Sequence, residues 1–298
     1  MAAVRALFFL PPSVFLLTGL VQSDRPLPDP DTFYRAVREN LVRAERLTHL
    51  YTYKERRTDV HTNPFGRLGT GGLSLYEVYP SPMRRLLYRR LVARDGRPVS
   101  GEDLAEQDRQ YRERVAGVQR DSGGDVQGLL GQQSEDARQR RQRAIDDVVD
   151  ALAFEVKGRT TESGAPAIVI AFAPRPGARP VTRQGRTAQK FAGTIWVDEA
   201  AAEVMRVEAT STDDISYGLG LVARLNAGTK ATVSRRRVDD QVWMPTALTL
   251  DGRGRALLLR RLVVDYAIEW FEYRRLPGES LAPFLDPRVH SQPGSRPQ

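Results

Sequence analysis

The chain has 298 residues, a formal charge of +8 and no cysteine. The missing cysteine excludes disulfides, thiol nucleophiles, thiolate zinc sites and iron–sulfur ligation. The length suffices for a real hydrophobic core, as one large β domain or two smaller ones.

Arg5 is followed by a largely apolar run and then by Val21-Gln-Ser23, with small residues at the positions a signal peptidase reads. This layout predicts a cleavable signal over residues 1–23 and an extracytoplasmic, periplasmic location. For an exported protein the basic balance fits an anionic lipid or glycolipid surface, or simply a solvated arginine-rich exterior, and no nucleic-acid partner is expected.

Residues 24–30 form a Pro-rich lead. Asp29-Pro30-Asp31 then combines a cap, a first-turn proline and an acid suited to the helix dipole. Phe33, Val37, Leu41 and Ala44 follow at helical spacing through about residue 47. The period changes to strand over 51–60, 73–79 and 84–93, with Asp95-Gly96 as a turn. Ser100-Gly-Glu-Asp103 opens a second helix with Leu104, Tyr111, Val115 and Val118 on one face. Residues 121–133, rich in Gly and Gln, read as a mobile loop. A third helix is expected from Ser134, with Ala137, Ile145, Val148, Val149 and Leu152 as its apolar face. About eight strands are expected over 154–273. The Pro-, Ser- and Arg-rich stretch 274–298 reads as a disordered tail.

This order predicts an α+β fold: a curved antiparallel half-barrel of about 11–12 strands with covering helices, since so many strands must curl or close. The domain is expected to span 31–273 with a helical insert at 101–150.

Four segments carry a family resemblance: Tyr76-Glu-Val-Tyr79, Arg89-Arg-Leu-Val-Ala-Arg-Asp-Gly96, Phe191-Ala-Gly-Thr-Ile-Trp-Val-Asp198 followed by Gly218-Leu-Gly220, and Val242-Trp-Met-Pro245. With them the chain resembles the LolA/LolB superfamily of periplasmic lipoprotein carriers, in an exported bacterial branch, over most of 31–273. The resemblance implies a half-open antiparallel barrel whose helices form a lid over an apolar concave face. It implies lipid or acyl-chain binding, or, as in the RseB-like regulators of that superfamily, a periplasmic protein partner. The arginine-rich insert is larger than the carriers' compact lid.

The residues themselves suggest no catalytic chemistry. His49, His61 and His290 lack metal-ligand spacing, and Ser74 lacks the second glycine of a nucleophile elbow. Asp146 and Asp150 share a helical face, but Asp146 and Asp147 stand three and four residues from Arg143, which favours ion pairing over a metal site. Gly69-Thr-Gly-Gly72 lacks the Lys-Ser/Thr of a phosphate loop. No cofactor or metal and no catalytic residue is therefore expected, and a glycan-acting hydrolase is the least favoured reading.

The apolar faces are more informative. Leu262, Val264, Tyr266, Ile268 and Trp270 alternate with Arg261, Val263, Asp265, Ala267 and Glu269, and Ile168, Ile170 and Phe172 form a similar set, as do Phe191, Ile195 and Val197. These are either core beneath the helices or the wall of a cavity. As a wall, Val264, Tyr266, Ile268, Trp270, Ile170 and Phe172 would hold an apolar ligand. Arg138, Arg140 and Arg141 would meet an anionic head group at its rim.

Overall fold

The computed structural model describes residues 25–58, 67–68, 72–217, 223–240, 242–256 and 260–290. The expected signal at 1–23, His61, Gly218-Leu-Gly220 and residues 291–298 lie outside them.

Helix α1 (Pro30–Leu47) starts where the sequence places it, with Asp29 accepting from the Thr32 backbone N–H at 3.0 Å. Strands β1 (Tyr51–Thr58), β2 (Arg67–Leu68), β3 (Leu73–Tyr79), β4 (Tyr88–Arg94) and β5 (Arg97–Pro98) follow. The insert is two helices, α2 (Gly101–Asp121) and α3 (Val126–Ala151). After it come β6 (Leu152–Glu162), β7 (Ala165–Pro174), α4 (Arg183–Ala188), β8 (Phe191–Asp198) and β9 (Val204–Ser211). The chain continues through β10 (Ile215–Tyr217), β11 (Ala223–Leu225), β12 (Lys230–Arg237), β13 (Trp243–Ala256) and β14 (Arg260–Arg275) to a short α5 (Pro287–His290).

One open sheet holds all fourteen strands. Its main path runs β5-β4-β3-β1-β14-β13-β12-β9-β8-β7-β6, antiparallel throughout, and among the described residues its ends do not pair. The hairpin β10–β11 adds to β13, and the two residues of β2 pair in parallel with β14. The fold class is thus the expected α+β sheet with covering helices.

Two expectations are corrected. The segment read as a loop over 121–133 is mostly helix. Asp125 accepts from the Gly128 N–H at 2.9 Å and starts α3 nine residues before Ser134. The tail expected from 274 is folded through 290: β14 runs to Arg275, and Leu276, Leu281 and Pro283 are buried. The apolar members of this segment, Leu281 and Phe284, pack on Tyr79, Tyr88 and Tyr111, where Tyr88 and Tyr111 stack at 4.2 Å. Their burial compensates for the ordering entropy that a Pro-rich composition suggests would not be recovered.

The insert grips both faces of the sheet. In β4, Tyr88 and Arg90 alternate with Arg89 and Leu91, so they lie on opposite faces. Tyr88 packs on Tyr111 of α2, and both Tyr88 and Arg90 bond Asp108 of α2, at 2.7 and 2.9 Å. Gln107 of α2 also bonds the N–H and C=O of Leu91 at 2.8 and 3.1 Å, which satisfies part of an otherwise open sheet edge. Helix α3 then crosses to the other face, where it meets α1.

Candidate ligand-binding cavity

Directly opposed residues in antiparallel strands share a face, so the register defines rows across the sheet. One row reads Val156, Ile170, Ile195, Val207, Val233, Leu248, Ile268. It continues into Arg57 and Ser74. The neighbouring row on the same face reads Phe154, Phe172, Gly193, Ala209, Ala231, Leu250, Tyr266. Large residues flank three successive small ones, and the surface is therefore hollow in its middle.

Above this hollow lie α1 and α3. Tyr34, Val37 and Leu41 come from α1, and Val148 and Val149 from α3. They partly cover a cavity of about 480 Å³ over Phe154, Ile170, Phe172, Ile195, Val207, Ala209 and Ala231. Ligand sites commonly measure about 300–1,000 Å³. Of the nineteen lining residues only Arg38 and Arg175 carry charge. Each has acceptors: Arg38 bonds Asp146 at 2.6 Å, joining α1 to α3, and Arg175 bonds the Leu152 carbonyl at 2.8 Å. Helix α4 closes the side with Ala188 and is fastened to α3 through Asp147, which accepts from the backbone N–H groups of Val181 and Thr182. The Thr182 hydroxyl donates to the same carboxylate, and this bond, with the two backbone ones, holds the Asp147 carboxyl below its ordinary range.

A second chamber of about 790 Å³, polar in its charged groups though apolar over most of its wall, shares Leu41, Val148 and Val149 with the first. Glu45, His49, Arg84, Arg140, Arg141 and Arg235 face it. Arg235, deeply buried, donates to the Trp243 carbonyl at 2.7 Å and lies 3.5 Å from Glu203. Burial pushes the carboxyls of Glu45 and Glu203 up and pulls Arg141 and Arg235 down. Burial likewise lowers His49, whose Nε2 lies 3.1 Å from Glu279.

The residues expected to form the site separate into two groups. Ile170 and Phe172 line the cavity, and Arg140 and Arg141 line the polar chamber. Arg138 is turned towards Glu135 and Glu279, at 3.2 and 3.6 Å. Val264 is buried in a separate cluster with Ile215, Leu225 and Leu262, and Tyr266 packs against that cluster. Ile268 occupies the same sheet face but is not among the residues lining the cavity. Trp270 is beside it on β14, and its indole N–H donates to the buried Glu55 at 3.1 Å. Val207, Ala209 and Ala231 had no distinguishing signal in the sequence until strand register aligned them, and Tyr34 joins them only through the packing of α1 over the sheet.

Among the described residues, no group of three or more His, Asp or Glu is placed to hold a metal ion. No helix among them is long and apolar enough to cross a membrane.

No family model matches the chain, and no curated protein matches it. Among solved structures it is similar to a DUF1329 family protein from Desulfovibrio piger, at 13% identity and a TM-score of 0.29, over 84% of this chain and 96% of that one. It is also similar to MucB, crystallised in complex with MucA(peri), at 10% identity and a TM-score of 0.23, over 84% of this chain and 100% of that one. Both likenesses are weak, and neither decides the family.

Proposed function

We propose that the protein is an exported, non-catalytic binding protein that holds a single acyl or similarly apolar chain between the sheet and the α1–α3 roof. The observation that carries this reading is the 480 Å³ cavity, whose charged lining residues already have acceptors of their own. An apolar chain entering it needs no polar partner, and each methylene removed from water contributes about 0.8 kcal/mol. The apparent signal at 1–23 supports an extracytoplasmic setting.

Native mass spectrometry of protein released gently from its own envelope fraction tests the ligand. A co-purifying lipid that dissociates on activation is expected, and a bare protein that also excludes fluorescent fatty-acid probes would refute the reading. N-terminal sequencing of the protein from envelope and cytoplasmic fractions tests export; a start near Asp24 in the envelope fraction is expected, and an intact Met1 in the cytoplasmic fraction would overturn it.

One observation favours a second reading, a protein partner on the same sheet face. The apolar row continues beyond the cavity lining through Val233, Leu248 and Ile268, all of them only half-buried. Recovery of a stoichiometric protein instead of a lipid in that spectrum would select it.

A further inference from the structure

The polar chamber is a basic recess opening directly onto the end of an apolar one. Four guanidinium groups face it, from Arg84, Arg140, Arg141 and Arg235, against one carboxylate, Glu45. These groups are not all satisfied internally. Nε and Nη2 of Arg141 are buried and make no hydrogen bond, and the nearest acid, Glu45, stands 3.8 Å from Nε, beyond hydrogen-bond reach. The His49 side chain, 8% exposed, faces the same chamber with Nδ1 buried and unpartnered.

Buried donors without acceptors are costly, and a guanidinium fork matches the oxygens of a carboxylate or phosphate. The Arg141 side chain, a quarter exposed, thus borders the chamber while its buried Nε and Nη2 lack acceptors, next to a cavity suited to a hydrocarbon. Arg140 and Arg141 are neighbours on α3, the helix that also roofs the apolar cavity through Val148 and Val149. One turn of that helix separates Arg141 from Ile145, which also lines the chamber. A head group on Arg141 and a chain under Val148 would then belong to one molecule lying along α3.

We infer that the polar chamber is a head-group subsite, and that the ligand is a single-chain amphiphile ending in an oxyanion held by Arg141 with Arg140 beside it. This rests on the proposed occupation of the apolar cavity. Glu45 acts as an internal competitor for the same guanidinium. Its role differs from that of Arg141 in sign, which separates a binding subsite from a merely structural cluster.

Titration calorimetry on the delipidated mature chain tests this with ligands of one chain length. Tetradecanoate carries a carboxylate, a tetradecyl phosphate monoester carries a phosphate, and tetradecanol is the uncharged control. The expected result is at least tenfold tighter binding of one or both anions than of the alcohol. Arg141→Gln should abolish that preference while leaving alcohol binding unchanged, and Glu45→Gln should strengthen anion binding. The stronger of the two anions identifies the head-group class. Equal binding of all three would overturn the head-group assignment and leave the apolar cavity standing. Binding of none would overturn both. A preference that survives Arg141→Gln in a variant with wild-type melting would remove Arg141 from the site. If Arg141→Gln does not fold, Glu45→Gln and Arg140→Gln carry the test. Opposite effects on anion affinity support the subsite, and no effect from either refutes it.

Discussion

Replacing Ala231 by leucine distinguishes a hollow interior from a packed one by the sign of the stability change. Ala231 lies between Ala209 and Leu250 in its row and lines the cavity. Leucine adds three carbons, and at about 0.8 kcal/mol per buried carbon the gain is at most about 2 kcal/mol. Loss of side-chain rotamer freedom removes about 0.5–1 kcal/mol of this. The net expectation is about +1 kcal/mol, or a melting temperature raised by about 2–4 °C in a protein of this size. In a closely packed interior the same substitution would cost about 1–3 kcal/mol through overpacking. Urea and thermal melts of delipidated protein measure the stability, and uptake of a fluorescent fatty acid measures the binding. Higher stability together with reduced uptake is expected. A variant that is less stable than wild type, or that binds the probe as well, would refute the cavity as the chain-binding space.

Three further predictions follow from the packing. Truncation after Arg275 uncovers Tyr79, Tyr88 and Tyr111 and should cost at least about 3 kcal/mol, with new dye binding to exposed apolar surface; unchanged melting would restore the reading of that segment as a tail. Gly193→Val should cost about 3 kcal/mol or more, because a Cβ there meets the Glu208 carbonyl oxygen at 1.9 Å; a wild-type chemical-denaturation midpoint would refute this strand approach. His49 is lowered from its ordinary 6.5 by burial, so it contributes stability above that value that is lost as the pH falls through its folded value. Wild-type protein should therefore lose more stability than His49→Gln between about pH 7 and pH 5, and equal pH profiles would show that His49 does not titrate on unfolding.

The sequence made some of this legible because the signals are local. Asp29-Pro30 and Ser100-Gly-Glu-Asp103 start α1 and α2 as capping chemistry requires. The apolar alternation of β7 and β14 is equally plain. The start of α3 was hidden because Gly128 and Gly131 weaken helical propensity, and only Asp125 capping and packing of Leu129 and Leu130 on the tyrosine cluster compensate. The segment after Arg275 was misread because composition weighs Pro and Ser against order and cannot register that Leu281 and Phe284 have a tyrosine cluster to cover. The cavity was out of reach for a different reason. Gly193, Ala209 and Ala231 are unremarkable one by one, and they form a hollow only when three strands are set side by side in register. The face on β14 is as continuous as its alternation suggests, yet register carries it beyond the cavity lining.

Helix α3 has 26 residues and so spans about 39 Å. Its first turns, through Val126, Leu129 and Leu130, are clamped with Leu281 and Phe284, and its last turns, through Val148 and Val149, cover the cavity. A helix of this length behaves as a beam. Its far end is tied as well, by Asp146 to Arg38 and by Asp147 to Val181 and Thr182, so one rigid element joins the cavity roof to the C-terminal segment on the opposite side of the sheet. A ligand that displaced the roof would therefore also disturb the packing of Leu281 and Phe284.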